Sequence, residues 1–160
     1  MLQFCQWLDQ SSVGTAIRQS LWLFPAIETI HLLGMAALVG TITILDLRLL
    51  GWCMRREPIS RLSARLIPWA WLGFLAQVVT GLLLFSSEAV KIYGNPAFRL
   101  KMLLLLLAGI QALIFQTVVS RRLPSWDQRE TLPFAAKIVG LSSILLWIGI
   151  VSAGRFIGFV

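Results

Sequence analysis

Four apolar stretches, at about residues 21–50, 66–87, 96–119 and 133–156, constrain the fold of this chain more than any other feature. Each meets the roughly 20 residues that an α-helix needs to cross a hydrocarbon core about 30 Å thick. Backbone amides find no water there, so each stretch must satisfy its own hydrogen bonds as a helix. The expected fold is all-α: a four-helix transmembrane bundle in a single integral membrane domain, residues 1–160. The short connections leave no room for a soluble domain. Composition agrees, with 58% hydrophobic and 13% charged residues, against roughly 45–50% and 25% in soluble proteins. There is no Gly-rich phosphate loop, CxxC or HExxH motif. The expectation is therefore a membrane subunit rather than a stand-alone enzyme. Cys5 and Cys53 do not amount to a disulfide framework.

The net charge of +7 points to membrane topology and anionic lipid rather than to nucleic acid, because the cations cluster between the apolar runs. Arg48, Arg55, Arg56, Arg61 and Arg65 follow span one, and Arg121, Arg122, Arg129 and Lys137 follow span three. Arg18, Lys91, Arg99, Lys101 and Arg155 fall on the other side. Nine against five predicts both termini outside, periplasmic for a bacterial inner (cytoplasmic) membrane. Residues 1–20 lack the basic start of a signal peptide. Phe4, Cys5, Trp7 and Leu8 predict a short helix lying in the outer interface.

Local signals place the span ends. Asn95-Pro96 puts a capping side chain before a proline at the first helical position. Trp69, Trp71 and Trp126 fit an inner aromatic belt, and Trp7, Trp22 and Tyr93 an outer one. Arg55-Arg56-Glu57-Pro58 and Arg121-Arg122-Leu123-Pro124 both end odd-numbered spans, a hint of two similar hairpins. Gly34, Ala36, Ala37, Gly40 and Thr41 in span one, and Gly73, Ala76, Thr80 and Gly81 in span two, allow close helix approach.

Ionisable groups inside the spans mark where chemistry would lie, because they are costly in lipid and face the bundle interior or a watery cavity. His31 is the sole histidine, and Glu28 and Met35 share its helix face. A neutral imidazole can ligate haem iron or copper; alternatively it is a hydrogen-bonded tie between helices. Arg99 and Lys101 open span three, where the helix dipole disfavours cations. Glu28 or Glu88 should then lie near Lys101, with Arg155 on the same side. The expected outer-leaflet cluster of Glu28, His31, Glu88, Lys101 and Arg155 would suit an anionic ligand, such as haem propionates or a quinone head group; the alternative is an ion-pair network. Asp46 is expected to pair with Arg61 or Arg65 as a latch at the inner mouth. Gln77, Gln111 and Gln116 are expected to bond helix to helix.

The runs ETIHLLGMAALVGTITILDLRLLG, PWAWLGFLAQVVTGLLLFSSEA and NPAFRLKMLLLLLAGIQALIF resemble a family of uncharacterised bacterial four-helix integral membrane proteins. More distantly, His31 in span one and Lys101 in span three are similar to positions in the CopD copper-resistance proteins and in the haem-binding membrane protoporphyrinogen oxidase. The resemblance maps onto His31 and Lys101 only, and it implies haem b; the pocket read from the residues themselves would hold it with His31, Glu28, Met35, Arg99, Lys101, Met102 and Arg155, His31 being the metal ligand and Met102 or the His31 of a second subunit the candidates for a second one. Electron transfer, to a quinone or a partner, would be the role. Copper handling with a periplasmic partner is the alternative, and a cofactor-free structural subunit of a membrane complex is a third. Possible partners are the lipid bilayer, a periplasmic or membrane protein, and a second copy of the chain.

Overall fold

Side-chain caps, prolines and one glycine set the helix ends in the computed structural model, which describes residues 2–127 and 132–159. Arg129, counted above, lies outside the described residues, as do the side chains of Phe4 and Cys5. The described chain has no strands. Four helical stretches are long and apolar enough to cross a membrane: α3 (Leu23–Leu50), α4 (Ile59–Ser87), a composite third span (Pro96–Trp126) and α8 (Phe134–Phe156). The expected four-helix membrane architecture is therefore present.

The N-terminal segment forms two short helices rather than one. α1 (Leu2–Asp9) and α2 (Ser12–Gln19) are joined at Ser11, whose Oγ accepts from Gly14 N at 3.1 Å. Arg18 ties them by donating to Asp9 Oδ1 at 2.9 Å and to the Asp9 carbonyl at 2.6 Å. Both lie against the far end of α4, and α1 also lies against α5 (Ala89–Tyr93), a short helix between spans two and three. Asn95 caps α6 (Pro96–Ile114), accepting from Ala97 N at 2.9 Å, and its Nδ2 donates to Ile157 O at 3.1 Å. The N-terminal helices and the C-terminal end of α8 thus share one end of the bundle, here called the termini face. The opposite end is the arginine face.

At the arginine face, α3 stops at Gly51, whose φ of 78° is left-handed. Gly51 N donates to Arg48 O at 3.0 Å and Trp52 N to Leu47 O at 2.9 Å, the pattern that closes a helix C-terminus on glycine. Span two begins at Ile59, seven residues before the apolar run at 66, so Arg61 and Arg65 lie on the helix rather than in a loop. Asp127 makes this possible. Its Oδ1 accepts from Ile59 N at 2.6 Å, and its carboxylate also takes the Ser60 hydroxyl. Pro58 removes any local cap.

Span three also runs past its expected end at residue 119. α6 passes through a π turn (Phe115–Val119) and a 3-10 turn (Ser120–Arg122) into α7 (Leu123–Trp126). Pro124 sits in the first turn of α7, where a missing amide costs little. The two Arg-Arg segments are therefore not equivalent: the first is a loop before a helix, and the second lies inside a helical run. Trp126 is also no interface residue. It is 7% exposed and packs with Leu45, Leu49, Ile59, Val119, Leu123 and Ala136 in a core cluster at the arginine face. Trp69 and Trp71, at 61% and 55% exposed, do face outward.

The helices touch in the order α4, α3, α8, α6. α3 and α4 form the closest pair. A Cβ on Gly73 would come within 2.8 Å of Leu38 N, and one on Gly34 within 3.0 Å of Ala76 Cβ. Ala36, Ala37 and Gly40 lie off this contact. α4 and the third span meet at both ends, through the stacked rings of Phe85 and Phe98, 5.3 Å apart, and through α7 against α4.

Candidate functional site

His31 sits in the third turn of α3 and turns its ring onto α4, which presents Gly81 to the imidazole edge. A larger residue at 81 would crowd the ring, because a Cβ there lies 3.4 Å from His31 Cε1. Gln77, one turn earlier on α4, donates its Nε2 to the His31 carbonyl. The ring itself meets Thr80: Nδ1 is 2.8 Å from Thr80 Oγ1. That hydroxyl lies 2.5 Å from the Ala76 carbonyl and donates to it. A threonine hydroxyl has a single proton. With that proton on Ala76 O, Thr80 Oγ1 accepts from His31, and Nδ1 carries the hydrogen. A neutral imidazole held this way presents Nε2 with a free lone pair, able to bind a metal ion or accept a hydrogen bond.

Of the residues expected around His31, Lys101 is half-buried and rests its chain on Gly154 of α8. Met35 is half-buried one turn further along α3. The others are dispersed. Glu28 is exposed and has no ion pair among the described residues. Glu88 pairs with Lys91 at 3.6 Å, not with Lys101, because the chain turns into α5 at that point. Arg99 lies over the Tyr93 ring at 5.8 Å and Arg155 over Phe159 at 5.7 Å, each satisfied by an aromatic close in sequence. Met102 is 49% exposed on the outer side of α6. The anionic partner expected for Lys101 is therefore not supplied by a described carboxylate.

Two polar features were not legible in sequence. Thr80 stood out only as a small residue, and its bond to His31 spans 49 positions. Asp46 pairs with neither Arg61 nor Arg65, both exposed on α4. It is 4% exposed and pressed against α8, where Gly140 approaches its carbonyl and Ser143, one turn on, is also buried. Its Oδ2 has no partner among the described residues. Gln111 does bond helix to helix as expected, donating to Val139 O at 2.9 Å and Ser142 Oγ at 3.1 Å. Gln116 instead accepts from Ser120 within its own helical run, through its backbone carbonyl.

Four apolar helices with polar side chains tied between them define a multi-pass α-helical membrane protein. Residues 4–160 match a family of unknown function, DUF6644, and the chain belongs to that family. No curated protein and no solved structure matches, so the similarity to CopD proteins and to the oxidase gains no support.

Proposed function

We propose that this protein is a bacterial inner-membrane subunit that carries a haem b on His31 and passes single electrons, with both termini on the periplasmic side. The hydrogen bond between His31 Nδ1 and Thr80 Oγ1 is the observation behind this reading. Histidines that bind metal usually donate their other ring N–H to an oxygen acceptor, which fixes the ring and raises its basicity. Thr80 Oγ1 does this here. The donor set favours a porphyrin over a bare ion. Among the described residues, no three His, Cys, Asp or Glu gather to hold a metal. Copper and zinc sites need several protein ligands. A porphyrin brings four nitrogens and asks the protein for one or two more. His31 Nε2 would supply one, Lys101 would offset a propionate, and the His31 of a second copy is the candidate for the other, since Met102 faces outward from α6. The haem would supply one-electron chemistry, received from or handed to a quinone or a periplasmic or membrane partner.

The test is the visible spectrum of protein purified from a haem-replete host. A b-type Soret band should be present, vanish in His31→Ala, and weaken in Thr80→Val, with haem affinity falling about 10–100-fold. Colourless, iron-free wild type sinks the proposal. Stoichiometric copper, lost with His31, would replace it with copper handling. Neither metal would leave His31 as a tie between α3 and α4 in a cofactor-free subunit.

A further inference from the structure

A cleft of about 290 Å³ opens at the arginine face, between the α3–α4 connection and the start of α8. It is near the lower end of the roughly 300–1,000 Å³ of small-molecule sites. Arg48, Arg55, Arg56 and Lys137 all line it. Arg48 directs Nε and Nη2 to the carbonyls of Glu57 and Arg55, and Arg55 directs Nε to the Gly51 carbonyl. Neutral carbonyls orient these guanidiniums without cancelling their charge, and N–H groups remain on Nη1 of Arg48 and on both Nη atoms of Arg55. Arg56 and Lys137 make no ion pair among the described residues. Two carboxylates share the rim. Asp127 is committed to the first turn of α4, and Glu57 is exposed and unpaired among the described residues. Lys137 is in the first turns of α8, where the helix dipole opposes a cation. An anion in the cleft would relieve that opposition and would meet four cations from three segments of the chain.

We infer that this cleft is a binding site for a phosphate ester, the headgroup of an anionic phospholipid or a free phosphate. Leu132, packed against the core cluster, gives the cleft one apolar side beside the cations. A cytoplasmic leaflet rich in anionic lipid would supply such headgroups to basic pockets between helices.

The test uses the full chain in mild detergent, offered equal amounts of phosphatidylglycerol and phosphatidylcholine, with retained lipid counted by native mass spectrometry. Phosphatidylglycerol should be retained preferentially. Arg56→Gln with Lys137→Gln should lower its retention about tenfold, each single change giving part of the loss, and Lys137→Arg should retain it. Arg121→Gln with Arg122→Gln, exposed at the same face but outside the cleft, should leave it unchanged. Inorganic phosphate distinguishes the sources: displacement of the lipid by phosphate alone assigns the site to the free ion, and resistance to it assigns the site to the headgroup. Equal retention of both lipids with no phosphate binding overturns the inference. So does an equal loss in the Arg121/Arg122 variant, which would reduce the effect to general surface charge.

Discussion

Asp46 is a carboxylate inside an apolar span with one oxygen unpartnered among the described residues. Leaving a charge uncompensated in such surroundings costs several kcal/mol, so the interior gains little by keeping it. Asp46→Asn should therefore unfold within about 1 kcal/mol of wild type, or later, in a detergent melt. A loss above about 3 kcal/mol would mean that a cation does hold Asp46, as the expected pairing with Arg61 or Arg65 requires. The failure of that expectation is physical. The covering residues, Gly140 and Ser143, come from a span almost a hundred positions later, and no local pattern announces them. His31 and Lys101 were legible because an ionisable residue in an apolar run is conspicuous in itself. Thr80 was not, because its role depends on where its one proton points.

Glycines that look alike in a span differ sharply between helices. Gly73 is pressed to the α3 backbone, whereas Gly40 has nothing within 4 Å of a built Cβ. Gly73→Ala should force α3 and α4 apart and cost about 1–3 kcal/mol. Gly40→Ala should be neutral or stabilise by up to about 1 kcal/mol, since alanine is the better helix former. Melting both variants side by side checks the pair; equal effects would mean that the α3–α4 contact is not built on Gly73. Span number and rough placement were readable from apolar length alone. The ends of spans two and three were not. Polar Arg61 and Arg65 masked a helix whose cap comes from α7, and Arg121-Arg122 with Pro124 read as a stop although a π turn and a 3-10 turn carry the helix through.

For the whole molecule, the even number of spans puts the α1–α2 pair and the end of α8 at one face, which the proposed topology puts outside. An impermeant thiol reagent on spheroplasts should label Cys5 and spare Cys53, which lies in the α3–α4 connection. The opposite pattern would turn the molecule over and place the His31 site beside the cytoplasm.

The cap on α4 also sets an order of manufacture. Ile59 waits for an acceptor 68 residues downstream, roughly 3–14 s of translation. During that interval α3 and α4 can pair through Gly34 and Gly73, but the start of α4 remains frayed until the third span has been inserted and α7 delivers its carboxylate. A ribosome stalled before residue 127, or a chain carrying Asp127→Ala, would therefore leave a paired hairpin with an open end at the arginine face, a form exposed to proteolysis.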